Sequence, residues 1–398
     1  MTDREVFFRH LGQTSPEPPA LAFTHAKGIC LFDAQGQAYY DLTSGFSVSN
    51  LGHGHPDIVE AVQNQAAAYM HQTVYGEFVQ SPQTRLAKRL VDMLPAHLNC
   101  VYLVNSGAEA IEGAMKLAKR HTGRHQLCSF KNAYHGSTQG ALSLLGDERM
   151  KQAFRPLLPG IIQLRFNCID DLELITEHCA AVVVEPIQTE AGFILPQDGF
   201  LLALRQRCNQ TGTLLVFDEI QVGFGRCGAL FAFEHFQVEP DILCIAKAFG
   251  GGMPIGAFVA PAQVLNKLSF DPVLGHITTF GGHPVSAAAS LAALELYGNY
   301  QLLSTQTAKA QLFIEVLKAN PLVGEIRHMG LFVSFDLPSE AHALKLLEIM
   351  LKHKLISERF LFRPQAVRIA PPLVSTFDEC QLMANLVNQS LNELIELS

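Results

Sequence analysis

Several features are scarce or missing in this sequence of 398 residues, and each absence narrows the class of protein. There is no tryptophan, and only 17% of the residues are charged. The low charged fraction, together with 48% hydrophobic residues, excludes an intrinsically disordered chain. Basic runs are missing, and the net charge is −8, so we expect no nucleic-acid partner, because phosphate contacts need clustered cations. No apolar run approaches the roughly 20 residues that cross a bilayer, so no membrane partner is expected.

Cysteine pairs of the metal-binding or redox kind are also missing. The nine cysteines are odd in number and form no CxxC motif. Several lie in apolar runs, where a free thiol behaves as a small hydrophobic group. We therefore expect reduced core thiols and no metal site. The N-terminus shows no basic region followed by an apolar run, so we predict no signal peptide and a cytoplasmic location.

Short apolar runs alternate with helical stretches through the middle of the chain. The runs lie at 101–104, 127–130, 181–184, 214–217 and 242–246, and helical stretches such as 108–120 and 200–210 lie between them. Continuous apolar strands separated by helices predict an α/β fold with a large, mainly parallel sheet that is flanked by helices. Before this region, a turn signal at 33–36 predicts a hairpin, and the polar, Pro-rich residues 1–20 predict a loosely packed lead-in.

The character of the sequence changes near residue 285. Segments 285–319 and 340–355 are helical and rich in Ala and Leu, and short strands are predicted at "LFVSFD" and "AVRIA". We therefore predict a second, smaller α+β domain formed from the C-terminal and N-terminal segments. The predicted division is 1–50 for the N-terminal segment that joins the small domain, 51–285 for the large domain, and 286–398 for the C-terminal small domain.

The segment "VNSGAEAIEG" predicts an anion site. A strand ends at Asn105, and Ser106, Gly107 and Ala108 then open a helix, whose free N–H groups and dipole attract an anion such as phosphate. Gly107 lets the anion approach the backbone closely. An ordinary helix cap at Ser106 produces the same pattern, so this motif alone leaves both interpretations open.

Charged side chains follow two of the predicted strands. Asp218 and Glu219 lie at the C-terminal end of "LLVFDE", the edge where α/β sheets bind their ligands. Lys247 follows the run "ILCIA" and precedes three glycines, and burial there would lower its pKa and make its amine nucleophilic toward a carbonyl. The motif GxGxxG at 223–228 is followed by "ALFAFEHF" and not by a capped helix, so no dinucleotide site is predicted.

Two further segments, each typical of a turn when taken alone, complete the set. Thr278 and Thr279 precede a Gly-Gly turn, and Tyr134 and His135 precede Gly136. An aromatic ring at Tyr134 is suited to stack on a planar ligand.

These segments, in this order, resemble the class III aminotransferases of fold type I, the group that contains acetylornithine, ornithine and 4-aminobutyrate aminotransferases. The resemblance runs from about residue 28 to 375 and includes "NLGHGHP", "VEPIQTEAG" (184–192) and "VRIAPPL" (367–373). It implies pyridoxal 5′-phosphate as the cofactor, bound by the large domain. It also implies a homodimer with shared active sites.

The resemblance implies a role for each candidate residue. Lys247 would form a Schiff base with the cofactor aldehyde and then shuttle the proton, Asp218 would pair with the pyridine nitrogen, and Gln221 would contact the ring hydroxyl. The other implied cofactor contacts are Ser106, Gly107 and Ala108 at the phosphate, Tyr134 stacked on the ring, His135 and Glu185 near it, and Thr279 reaching the phosphate across a dimer interface. Arg368 would bind the substrate carboxylate, and Glu190 would mask Arg368 while an amine at the far end of the donor reacts.

Departures from the family pattern lie around the substrate. Ser137 stands where ornithine and acetylornithine members usually carry Arg, and Phe46 stands at a substrate-binding position where ornithine-specific members place Tyr. Thr189 replaces a common Gly and would narrow the space beside Glu190, and His283 replaces a usual Asn. The departures make acetylornithine and ornithine less favoured as donors.

We therefore predict a ping-pong transaminase of amino-acid metabolism. Its donor would be an ω-amino acid, a diamine-type amino acid or an amine, and its acceptor a 2-oxo acid, 2-oxoglutarate or else pyruvate. A class III racemase or epimerase, or a decarboxylase, would use the same Lys247 and Asp218 and stays open. A catalytically inactive binding module on this fold is disfavoured by the presence of both residues, and the tetrapyrrole aminomutase by Gln221.

Overall fold

The structure is a computed structural model that describes residues 1–397. Its helices are α1 (Asp3–His10), α2 (Ser44–Ser47), α3 (Pro56–Ala68), α4 (Ser81–Val91), α5 (Gly107–Thr122), α6 (Gln139–Leu144), α7 (Glu148–Lys151), α8 (Phe200–Thr211), α9 (Phe233–Phe236), α10 (Ala262–Leu265), α11 (Pro284–Tyr297), α12 (Tyr300–Ser304), α13 (Gln306–Lys318), α14 (Glu340–Lys352) and α15 (Phe377–Glu396). Its strands are β1 (Phe23–Lys27), β2 (Cys30–Asp33), β3 (Ala38–Asp41), β4 (Cys100–Val104), β5 (Gln126–Phe130), β6 (Ile161–Leu164), β7 (Cys179–Val184), β8 (Leu214–Asp218), β9 (Ile242–Ile245), β10 (Gly256–Ala260), β11 (Ile326–Met329), β12 (Phe332–Asp336), β13 (Leu355–Ile356) and β14 (Ala366–Ile369).

A seven-stranded sheet in the order β4-β10-β9-β8-β7-β5-β6 forms the centre of the molecule. Strand β10 runs antiparallel to both of its neighbours, so the other six strands are mutually parallel. All six residues of β7 are buried, as a strand covered by helices on both faces requires. The predicted α/β class is thus confirmed, with each predicted strand within two residues of its observed limits.

The parallel strands bring distant parts of the chain to one edge of the sheet. The C-terminal ends of β4, β5, β7, β8 and β9 all point to this edge, which is where α/β sheets bind ligands. Helix α5 begins directly after β4 and packs against β9 and β10 with a buried face. The loops after these strands therefore carry the candidate residues toward a common point.

The C-terminal part of the chain builds a second, three-stranded sheet in the order β11-β12-β14, with α13 packed on β11 and β12. Strand β13 leaves this region to pair with β3, which completes a four-stranded sheet with β1 and β2. This pairing places an N-terminal strand next to a strand from the C-terminal part of the chain. Helix α11 packs on α3 and α4. The limits of the domains stay a prediction.

Two N-terminal features differ from a plain reading of the sequence. Helix α1 lies inside the expected lead-in, where Thr2 and Glu5 cap each other's backbone N–H groups, although no residue of α1 is buried. The second feature is α2, whose residues Ser44–Ser47 all have positive φ and form one left-handed turn. Such a turn costs roughly 1–2 kcal/mol for each residue other than glycine. None of the helices in residues 1–397 has the length and apolar character to cross a membrane.

Candidate active site

A cavity of about 460 Å³ opens at the edge where the parallel strands end. The predicted residues that line it are Ser106, Gly107, Ala108, Tyr134, His135, Glu185, Asp218, Gln221 and Lys247. They come from the C-terminal ends of five different strands and from the segments that follow those strands, and the fold brings them together in one cavity. Glu190 and Arg368 form a buried pair that reaches the cavity through Gln221.

The N-terminus of α5 forms one end of the cavity. Ser106 caps the helix by accepting the N–H of Glu109 at 3.2 Å, so the ordinary cap is present together with the cavity. The first N–H groups of a helix have no partner within it, and here they begin beside the cavity. A Cβ on Gly107 would come within 2.8 Å of Ile220 Cδ1, so a larger residue would push Ile220 into this space. The end is suited to a phosphate.

Asp218 and His135 form a buried pair at the base of the cavity. His135 Nδ1 lies 2.7 Å from Asp218 Oδ2, and the second oxygen of Asp218 accepts the N–H of Ile220 at 3.0 Å. Burial alone would lower the pKa of His135, but the hydrogen bond and charge of Asp218 raise it. The other ring nitrogen, Nε2, is buried without a partner among the described residues. The pair holds the carboxylate in one orientation.

Lys247 enters the cavity from the loop after β9. Its backbone is in the left-handed region, with φ of 51°, and its Nζ donates to Gln221 Oε1 at 3.1 Å. Burial lowers the pKa of Lys247, against the opposing charges of Glu190 and Asp218. A larger fraction of the amine is thus neutral, and hence nucleophilic, than in a solvated lysine.

Glu185 and Glu219 are two further buried acids, and the charge of Asp218 acts on both. Glu185 lines the cavity and accepts the N–H groups of Tyr134 and Thr189 at 3.0 and 2.9 Å. Burial raises its pKa to about 7. Glu219 instead accepts the backbone N–H groups of Ala232 and Phe233 at 2.9 and 2.7 Å. It does not line the cavity.

Arg368 and Glu190 form an ion pair next to the cavity. Arg368 Nη2 donates to both carboxylate oxygens at 2.9 and 3.0 Å, and both side chains are buried. Arg368 Nε and Nη1 are buried without partners within residues 1–397. The guanidinium carbon lies over the rings of Phe46 and Phe360, at 5.1 and 4.4 Å from their centroids. Phe46 is 44% exposed, and the left-handed turn α2 presents it.

Thr279 is exposed and does not line the cavity of its own chain. Its neighbour Thr278 accepts a hydrogen bond from Asn105 at 2.9 Å and so ties this loop to the phosphate end. The reach of Thr279 to a partner chain stays a prediction. Sequence reasoning missed Asn105, and its signal was the position at the end of β4, just before the helix start.

Comparisons with known proteins agree with this geometry. The sequence matches the family described as aminotransferase class III over residues 12–391. The structure is similar to the ornithine aminotransferase of Toxoplasma gondii ME49, with 28% identity and a TM-score of 0.91 over 100% of this chain and 97% of that chain. It is also similar to an (S)-enantioselective omega-transaminase of Thermomicrobium roseum, with 27% identity and a TM-score of 0.90 over 98% and 97% of the two chains.

The residues of the cavity fit pyridoxal phosphate. A helix start suits the phosphate, a buried carboxylate at Asp218 suits a protonated ring nitrogen, and a buried lysine lies in the same cavity. His135 Nε2 is buried without a hydrogen-bond partner among the described residues, so it is available to bond a polar atom of a ligand. A second structure of the Toxoplasma enzyme reveals partial occupancy of PLP at its active site. This chain belongs to the class III aminotransferase family and is a pyridoxal-phosphate-dependent aminotransferase.

Proposed function

We propose that this aminotransferase takes its amino group from an ω-amino acid, a diamine-type amino acid or an amine, and passes it to a 2-oxo acid, with 2-oxoglutarate as the first candidate and pyruvate as the second. The observation that supports the proposal is the buried pair of Glu190 and Arg368 beside the cavity. The Thermomicrobium protein, an omega-transaminase, is a relative of similar fold.

The pair suits a site that must receive two kinds of substrate. A 2-oxo acid carries a carboxylate next to the reacting carbon, and a guanidinium binds it with a planar pair of donors. An ω-amine has only hydrogen at that place, and an unpaired buried cation beside it would be costly. Glu190 neutralises Arg368 in the second case. The charges of Arg368 and Lys247 hold the pKa of Glu190 below its usual value although burial opposes them, so the pair is ionised.

Each cavity residue has a defined task in this scheme. Bound pyridoxal phosphate supplies an aldehyde that exchanges amino groups and a protonated ring that withdraws electrons from the bond being broken. Lys247 would provide the amine for the aldehyde and would carry the proton as a general base. Asp218 would favour the protonated ring nitrogen, and Tyr134 would lie against the ring.

The same pair argues against a racemase or a decarboxylase. Those enzymes act on one amino acid whose carboxylate is always present, so an acid that masks the carboxylate-binding arginine would only weaken substrate binding. A transaminase with an ω-amine donor needs the arginine in one half of its cycle and not in the other. We therefore keep racemization and decarboxylation as the alternative.

Replacing Glu190 by glutamine tests the masking role. The neutral amide of the Glu190→Gln variant cannot neutralise Arg368, so we expect the half-reaction with an ω-amine donor to slow by about tenfold or more, because an unpaired cation then faces the donor carbon. The half-reaction with the 2-oxo acid should keep its rate or become faster. Single-turnover absorbance of the cofactor measures both rates separately.

Glu358→Gln is the matched control for this experiment. The charge of Glu358 also acts on Arg368, but its side chain makes no hydrogen bond to that guanidinium in the described structure. We expect this variant to change both half-reactions equally and by less than about threefold. Masking is refuted if Glu190→Gln leaves the ratio of the two rates as in the native enzyme.

A homodimer with shared active sites is part of the proposal. Two segments, 70–79 and 270–280, are in contact through His71 and Phe280 and expose large apolar side chains, and Thr279 lies in the second segment. These side chains are Met70, Phe78, Val79, Phe270, Val273, Leu274, Ile277 and Phe280, each more than half exposed. Such a concentration is unusual for a surface in water and suits burial against a second copy of the chain.

Mixed dimers test whether Thr279 serves the partner's site. We combine a Lys247→Ala chain with a Thr279→Ala chain. If Thr279 crosses the interface, the mixed dimer contains one site with native Lys247 and native Thr279, and this site should bind the cofactor about tenfold more tightly than the Thr279→Ala homodimer. If Thr279 serves its own chain, the mixed dimer should show only the weak affinity of that homodimer, and a fully active monomer would contradict the assembly.

A further inference from the structure

The Thr189 side chain connects two groups of the active site that come from separate strands. Its Oγ1 lies 2.7 Å from Glu185 Oε2 and 3.1 Å from Gln221 Oε1. Its backbone N–H donates to the same oxygen of Glu185 at 2.9 Å. Thr189 is 2% exposed and lines the cavity, so bulk water does not compete for these contacts.

The backbone of Thr189 is held in place independently of its hydroxyl. Residues 188 and 194 pair as an isolated bridge, and the carbonyl of Thr189 accepts the N–H groups of Gly192 and Phe193 at 3.0 and 2.9 Å. Arg327 donates to the Gly192 carbonyl at 2.7 Å, which fastens this hairpin to the small sheet. The hydroxyl therefore occupies a fixed position relative to its two acceptors.

Gln221 is the group whose orientation depends on its neighbours. Its Oε1 accepts from Lys247 Nζ at 3.1 Å and lies 3.1 Å from Thr189 Oγ1, and its Nε2 lies 3.4 Å from Glu190 Oε1. The two ends of a side-chain amide have almost the same shape, so donors and acceptors around it decide which way it points. When Lys247 is bonded to the cofactor, its ammonium no longer secures Oε1, and Thr189 is the remaining donor among the described residues.

We propose that the Thr189 hydroxyl is a positioning group for transamination, which holds the amide of Gln221 in one orientation by joining it to Glu185. Gln221 is the residue expected to contact the ring hydroxyl of the cofactor. When the Oε1 of Gln221 is held toward Thr189, the Nε2 of Gln221 points away from Thr189 and can donate to another acceptor. A glycine at position 189 would have no hydroxyl and would offer no such link.

The hydrogen bond from Thr189 to Gln221 depends on the protonation state of Glu185, because the single hydroxyl proton of Thr189 faces two acceptors. An ionised Glu185 takes the proton of Thr189, and a protonated Glu185 can donate to Oγ1 and free that proton for Gln221. The charged groups that face Glu185 are His135, Asp218 and Lys247. With its pKa raised by burial to about 7, Glu185 changes state near neutral pH. The hold on Gln221 is therefore stronger on the acid side of that value.

Three variants of the holoenzyme test the proposal. Thr189→Val keeps the shape and removes the hydroxyl, Thr189→Ser keeps the hydroxyl, and Gln221→Ala removes the group that Thr189 positions. We expect Thr189→Val to move the midpoint of the pH-dependent change in the visible spectrum upward by about one unit, because the ionised form of Glu185 loses a donor. We also expect kcat/KM to fall about tenfold on the acid side of pH 7, where the Thr189 proton is free for Gln221, and to fall less on the alkaline side. Thr189→Ser should match the native enzyme in both measurements.

The double variant separates positioning from packing. In the Gln221→Ala background, Thr189→Val should lower kcat/KM no further, since its effect passes through Gln221. A full additional loss there, or a Thr189→Ser enzyme as impaired as Thr189→Val, overturns the proposal. If Thr189→Val unfolds at a much lower temperature than the native enzyme, Thr189→Ser is compared with Thr189→Ala instead. This pair also differs by the hydroxyl, and both side chains are smaller than threonine.

Discussion

Replacing Lys247 by alanine is expected to reduce transamination by about 10⁴-fold or more, the largest effect of any single substitution in the chain. In the proposed mechanism Lys247 supplies both the amine that bonds the cofactor and the base that moves the proton, and no second lysine lines the cavity in the part of the chain that the structure describes. Steady-state kinetics with a donor and 2-oxoglutarate measure the loss. Borohydride treatment followed by peptide mass analysis should label Lys247 in the native enzyme and no residue in the variant.

Lys247→Arg is the companion variant, because it keeps the positive charge and removes the nucleophilic amine. We expect it to be as inactive as Lys247→Ala. If either variant kept more than about one hundredth of native turnover, covalent catalysis by Lys247 would have to be abandoned. Thermal unfolding of both variants shows whether they retain the fold.

Replacing Asp218 by asparagine should lower kcat by about 10²- to 10³-fold with little change in shape. Asparagine can still accept from His135, but it lacks the charge that we propose keeps the ring nitrogen of the cofactor protonated. Withdrawal of electrons by the ring is then lost, and binding of the cofactor should weaken as well. Absorbance titration with pyridoxal phosphate and single-turnover rates measure the two effects.

Glu219→Gln is the matched control for Asp218→Asn. Glu219 is the adjacent residue and is equally buried, and burial raises its pKa to about 8, but it accepts backbone N–H groups outside the cavity. We expect it to change kcat by less than about threefold, with its main effect on stability. Equal losses in kcat for the two variants would mean that burial of an acid, and not its place at the ring, accounts for the result.

Sequence reasoning reached the features that depend on neighbouring residues in the chain. The buried strands β7 and β8, the helix start at Ser106 and the lysine before a glycine turn are all local patterns. Their meeting at one edge follows from parallel strands, whose C-terminal ends coincide. For this reason the cofactor residues were predicted together with the α/β fold.

Two features that depend on distant contacts were not predicted, whereas the resemblance did imply the pairing of Glu190 with Arg368. The left-handed turn that presents Phe46 is held by Arg226, whose Nη2 donates to Ser44 Oγ at 2.9 Å across 182 positions of the sequence, and by the Asp41 carboxylate, which accepts the N–H of Gly45 at 3.0 Å. The hydrogen bond from Thr189 to Gln221 spans 32 positions, so the sequence suggested only reduced space beside Glu190. A role for Thr279 across an interface needs a second chain.

We propose that this enzyme moves amino groups from an ω-amine to a 2-oxo acid, and a half-reaction screen distinguishes this activity from the alternatives. The pyridoxal-phosphate form of the enzyme is mixed with a panel of ω-amino acids, diamine-type amino acids, amines and α-amino acids, and the visible spectrum is followed in a single turnover. We predict conversion to the aminated cofactor with an ω-amine, release of the matching carbonyl product, and return of the first spectrum on addition of 2-oxoglutarate or pyruvate. Racemization of an amino acid or release of carbon dioxide, without conversion of the cofactor by any ω-amine, would contradict the proposed transaminase activity.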